Sequence, residues 1–259
     1  MAPMTDEPPE LLARLREQDW DRYFCTLFAP PAARPALATL YAFNHELARA
    51  REVTTEPTLA LIRLQWWREV VEGATRRHEV ATPLAALVAE GRADPAVLEA
   101  MIAAREAEVE RDGEIATEAE LVALMRQGPG SLAVAAGRLL AVMTLDVENR
   151  LRDVGAAYGL AGTLRNASML ARVGRCLLPV ALLAEAGLSV HEAMARPDAA
   201  VAAVSPALRR AVEGLLREAR GLPRDVVPAA LIGVLARWES RGLGARLAVA
   251  AAAARGKIG

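Results

Sequence analysis

The chain has 259 residues, enough for one large helical domain with a real core or for two small ones. It is 53% hydrophobic but only 4% aromatic, and alanine and leucine supply most of the apolar content, which favours helix over strand. A formal net charge of −1 excludes the basic balance of a nucleic-acid binder, and Lys257 is the only lysine among many arginines.

The first residues carry Asp6, Glu7 and Glu10 and no apolar segment, so they read as neither a secretory signal nor a transit peptide. We expect residues 1–9 to be a flexible N-terminus and residues 10–256 one helical domain. Pro8 and Pro9 precede a helix over about 10–28. Pro30 and Pro31 end it, and a second helix runs to about 52. Pro57 opens a third, through about 76. A looser stretch over 83–92 leads to Asp94 and Pro95, an N-cap and a first helical residue, and that helix ends near Gly113.

Thr117 and Glu120 have capping-box spacing before LVALM. GPG at 128–130 reads as a break before another apolar helix. A long helix is predicted over 147–171, and GRCLLP reads as the turn that ends it. Ser189 and Glu192 fit a cap, and helices follow over 206–220, 227–241 and 244–255. No stretch alternates as a strand would, and no repeat period is present. The longest apolar run, over 131–145, is cut by Arg138, so no transmembrane segment is expected.

Motifs with metal or nucleophile chemistry are scarce. Cys25 and Cys176 lie far apart without a CxxC pattern and read as reduced thiols. His45, His78 and His191 have no ligand spacing. Ser131 and Ser168 have no base nearby in sequence, and GPGS at 128–131 lacks the phosphate-loop pattern. The acidic run Glu106–Glu114 alternates around Val109 and reads as an exposed helix face.

Two stretches stand out. LYAFNHELARAREV at 40–53 sets Leu40, Phe43, Leu47 and Ala50 at helical spacing and carries Asn44, His45, Glu46, Arg49, Arg51 and Glu52 on its other faces. RLQWWRE at 63–69 cannot bury all of Arg63, Gln65, Trp66, Trp67 and Arg68. Successive helical residues point about 100° apart. Arg63, Trp66, Trp67 and Arg68 are therefore candidates for a partner or membrane patch, set against a packed Trp beside a snorkelling Arg.

The order of DRYFCTLFAPPAARPALATLYAFN, RLQWWREVVEG, ARE near Arg105 and YGLAGTLRNASMLARVGRCLLP resembles the squalene/phytoene synthase family over about 20–242. AFN-x-ELA followed by R-x-Q-[FW]-W resembles in particular the branch that includes a mitochondrial complex I assembly factor. The resemblance implies an all-α, single-domain isoprenoid-synthase (terpenoid synthase-like) bundle with a central apolar cavity. In active members two D-x-x-x-D motifs face each other there. Carboxylates one helical turn apart share Mg²⁺ ions that grip a substrate diphosphate.

Laid on that pattern, the first motif falls at Ala48 and Glu52 and the second at Asn166 and Leu170. The arginine of the first motif's helix becomes His45, and acids at 19 and 21 stand near the phosphate contacts. Arg165 is retained. The resemblance then implies a non-catalytic isoprenoid- or lipid-binding protein, or a respiratory complex I assembly-type factor. It would need no cofactor and would be cytoplasmic, peripheral at the inner membrane. His45, Arg49, Glu52, Arg165 and Asn166 are the candidate ligand contacts, and a respiratory-complex or membrane protein is the candidate partner. The alternatives are a helical adaptor without a ligand, or an active prenyl-diphosphate transferase. The latter would have Glu46 and Glu52 as its catalytic carboxylates and would require Mg²⁺.

Overall fold

In the computed structural model, helix α1 (Pro9–Gln18) opens the chain and does not continue into the next turn. The sequence predicts one helix over 10–28; instead the Asp19 side chain accepts a hydrogen bond from the Arg22 N–H at 3.1 Å and starts α2 (Trp20–Thr26). An aspartate that caps outcompetes one that continues a helix. The structure describes residues 9–52, 56–110, 114–238 and 242–258, without the side chains of Pro9, Arg51 and Glu52. The N-terminus expected to be flexible thus lies, apart from Pro9, outside the described residues.

Helix α3 (Arg34–Glu52) buries Leu37, Leu40, Phe43, Leu47 and Ala50, the predicted stripe. α4 (Pro57–Val71) packs against it. The stretch expected to be loose forms α5 (Ala81–Ala89), because His78 Nδ1 accepts from the Val80 and Ala81 N–H groups and Pro83 sits in the first turn, where its missing N–H is harmless. α6 (Pro95–Glu110) follows its expected Asp94 cap, which accepts from the Ala96 N–H at 2.8 Å.

GPG does not break the chain path. α7 (Glu118–Met125) passes through a π-helical turn, Arg126–Gly130, directly into α8 (Ser131–Arg138). The wider turn absorbs Pro129, which has no N–H to give. α9 (Leu145–Arg172) is the central helix and packs against that turn, α8 and α12. The approach is close: a Cβ at Gly155 would lie 2.2 Å from the Pro129 carbonyl oxygen.

α10 (Val180–Glu185) and α11 (Val190–Ala195) lead into α12 (Pro197–Glu218), which begins well before the predicted 206. Pro206 is exposed within it. The predicted helix 227–241 is two single turns, α13 (Val227–Ala230) and α14 (Ile232–Leu235), and α15 (Leu243–Arg255) closes the chain. The described residues contain no strand. Buried apolar residues from all these helices form one contiguous cluster.

Candidate functional site

Helices α2, α3, α6, α7 and α9 enclose a cavity of about 390 Å³, within the usual range for a small-ligand site. Leu47, Leu64, Val109, Leu124, Met125 and Leu177 give it an apolar side. Its charged residues fall into two clusters.

The first lies on α2 and α9. Tyr158 Oη donates to Asp21 Oδ2 at 2.8 Å in a buried contact. Arg22 donates to Asp19, and its guanidinium sits 5.1 Å from the Tyr158 ring centroid and 5.7 Å from that of Tyr41. Burial works against the Arg22 charge, but Asp19 and the two tyrosines hold its pKa above the ordinary value. Burial raises both tyrosines, so Tyr158 keeps the proton that it donates. The Arg165 guanidinium also lies over the Tyr158 ring, 5.0 Å from its centroid.

The second cluster lies on α6 and the turn after α9. Glu108, 8% exposed, accepts from Arg105 at 3.0 Å and from Arg175 at 3.2 Å. Arg175 is aimed by the end of α9. Gly174 takes φ +71°, its N–H donates to the Ala171 carbonyl, and the Arg175 N–H donates to that of Leu170. This is the Schellman pattern, which turns the chain back over the helix end. The Arg175 Nε is buried and has no hydrogen-bond partner among the described residues.

A family model described as squalene/phytoene synthase matches residues 15–255. The chain belongs to the squalene/phytoene synthase family. Among solved structures, a dehydrosqualene synthase in complex with ligand superposes with a TM-score of 0.71 at 12% identity, over 95% of this chain and 94% of that one. A squalene synthase from Alicyclobacillus acidocaldarius gives 0.71 at 18% identity, over 95% and 93%. These likenesses establish the expected all-α isoprenoid-synthase fold.

Among curated proteins, the chain is 26% identical to NADH dehydrogenase (ubiquinone) complex I, assembly factor 6 of Mus musculus over 189 residues, 71% of this chain and 56% of that protein. The Homo sapiens protein of the same name is 39% identical over 61 residues, 24% of this chain and 18% of that one. The chain thus spans about half of the mouse relative or less of the human one.

Of the residues singled out in the sequence, His45, Ala48, Arg165, Asn166 and Leu170 line the cavity, and Asn44 joins them. Glu46 does not. Its carboxylate accepts from Arg14 at 2.8 Å and from Arg49 at 3.5 Å, so it ties α3 to α1. Arg49 is partly exposed and also lies outside the lining. The Glu52 side chain lies outside the described residues.

The RLQWWRE patch separates. Trp67 is buried edge-on to Phe43 at 5.3 Å, and Arg68 pairs with Glu99 and Glu106 at 2.8 and 2.7 Å. Trp66 is half-buried against Trp67 and His78, which leaves Arg63 exposed. The packed arrangement holds for Trp67 and Arg68.

Glu108 corrects the expected exposed acidic face. It falls on the α6 stripe of Leu98, Ile102, Arg105 and Val109, and a carboxylate in that register three residues after an arginine was the available signal. Arg175 had no such local signal.

The family's magnesium fits this lining poorly. Mg²⁺ needs several oxygen ligands in octahedral geometry. Among the described lining residues the carboxylates are Asp19 and Glu108, each already held by arginine. Among the described residues no three His, Cys, Asp or Glu side chains come together as a metal site.

Proposed function

We propose that this protein is a non-catalytic member of its family that keeps the central cavity to bind an isoprenoid or lipid, and that it serves a respiratory complex as an assembly-type factor. The observation that carries the binding role is the cavity lining. Where α3 and α9 face each other it presents Ala48, Asn166 and Leu170, which cannot hold a cation bridging to a diphosphate. Forfeiting metal stabilisation of a departing diphosphate costs several kcal/mol of transition-state energy. An open cavity of about 390 Å³ favours a bound ligand over an adaptor whose interior is filled by its own side chains.

The assembly role rests on likeness to the complex I assembly factor 6 proteins. A peripheral place at the inner membrane belongs to the same proposal; no helix among the described residues is long and apolar enough to cross a membrane.

Purified protein incubated with farnesyl or geranylgeranyl diphosphate and Mg²⁺ should give no condensed hydrocarbon product. Native mass spectrometry of gently purified protein should show a retained isoprenoid or phospholipid mass. Turnover that disappears in Glu52→Ala would instead establish the prenyltransferase reading.

A further inference from the structure

The geometry points to a basic anion seat: Arg105 and Arg175, braced by Glu108, take the phosphate of a phosphate-bearing isoprenoid or lipid directly, with no divalent cation between. This rests on the ligand-binding reading above and names the chemistry of the ligand's head.

The charge balance of the cavity argues for it. Four arginines line it, Arg22, Arg105, Arg165 and Arg175, against the carboxylates of Asp19 and Glu108. An excess of positive charge persists even when Asp21, behind Tyr158, is counted. A wall of that sign repels the cation on which the family's chemistry depends and attracts the anion that the cation would have carried.

Geometry localises the anion. Glu108 holds two guanidinium groups about 3 Å from its oxygens and so fixes both beside one cavity wall. One carboxylate cannot neutralise two arginines, and the Nε of Arg175 remains buried without a partner among the described residues. Guanidinium forks match phosphate oxygens bidentately. The apolar side, Leu64, Leu124 and Leu177, would take the attached chain.

Binding of geranylgeranyl diphosphate, geranylgeraniol and inorganic pyrophosphate to the full chain, measured by titration calorimetry in EDTA and again with Mg²⁺, tests the inference. The diphosphate should bind in EDTA at least about tenfold more tightly than the alcohol, the worth of one or more charge-assisted hydrogen bonds, and Mg²⁺ should not tighten it. Arg175→Gln and Arg105→Gln should each remove that advantage while leaving geranylgeraniol unchanged. Pyrophosphate binding as tightly as the prenyl diphosphate would assign the seat to free phosphates; weaker binding would assign it to a lipid head.

Arg105 is the more exposed of the two, so Arg105→Gln keeps the test open if Arg175→Gln fails to fold. Affinity that appears only with Mg²⁺ overturns the inference. So does equal affinity for alcohol and diphosphate, which leaves the binding role standing. Binding of none of the three ligands overturns both.

Discussion

The two charged clusters flanking the cavity balance their charges differently. On α2, Arg22 pairs with Asp19, and Tyr158 supplies a neutral donor to Asp21. On α6 and the turn after α9, one carboxylate, Glu108, serves two arginines. The first cluster joins elements 137 positions apart in sequence and closes on itself. The second also crosses the fold, and in it the Arg175 Nε has no hydrogen-bond partner among the described residues. A balanced buried cluster contributes to holding the bundle together; an unbalanced one contributes a place for an anion, and its stability depends on what occupies it.

The largest expected effect separates the clusters by rescue. Glu108→Gln leaves two guanidinium groups facing each other without their shared carboxylate. It should cost about 3–5 kcal/mol, the usual penalty for breaking a buried ion pair on one side. In a chain of this size that lowers Tm by on the order of 10 °C. Added phosphate or sulfate should restore part of the loss by standing in for the carboxylate, as differential scanning fluorimetry across anion concentrations would reveal. A loss that no anion relieves would mean that the α6 cluster is as purely structural as the α2 cluster.

On the α2 side, Tyr158→Phe removes one donor to the buried Asp21 carboxylate. It should cost about 1–3 kcal/mol in chemical denaturation, insensitive to phosphate. pH sharpens the contrast. Burial raises the Tyr158 and Tyr41 hydroxyls and the Cys25 thiol above their ordinary values. The unfolded chain therefore releases these protons at lower pH than the folded one. Their contribution is intact below the unfolded values, about 8.5 for Cys and about 10 for Tyr. It is lost as pH rises from those values toward the raised ones. Denaturation midpoints should begin to fall above about pH 8.5, where the unfolded cysteine ionises, and Tyr158→Phe should flatten the part of that slope above about pH 10. An unchanged slope would remove Tyr158 from the account.

The same contrast marks what the sequence discloses. Helix caps were legible because their signals lie within four residues: Asp94 before Pro95, and Ser189 with Glu192, which form a complete capping box. The α3 stripe was legible from its period, and the quoted motifs carried the family. Local reading failed where a local signal meets a distant partner. GPG reads as a break because the fit of Gly155 beneath the π-helical turn is invisible in sequence. Glu46 reads as a cavity carboxylate because nothing nearby announces Arg14 on another helix. Arg175 meets Glu108 across 67 positions, so the basic seat existed only as unremarkable charges until the fold assembled it.

The smallest expected effect isolates what a ligand adds to the unbalanced side. Arg105 keeps about a quarter of its side chain in solvent (27%), and Glu108 retains Arg175 when Arg105 is removed. Arg105→Gln should therefore change the stability of the ligand-free protein by less than about 1 kcal/mol, as for partly exposed ion pairs. Relief of the positive excess offsets part of even that. With pyrophosphate present, the variant should gain less thermal stability than the wild type, since binding to the folded state stabilises in proportion to affinity. A near-silent substitution without ligand that becomes visible with it would identify Arg105 as part of the seat. A deficit of equal size in both conditions would make it a brace for Glu108 alone.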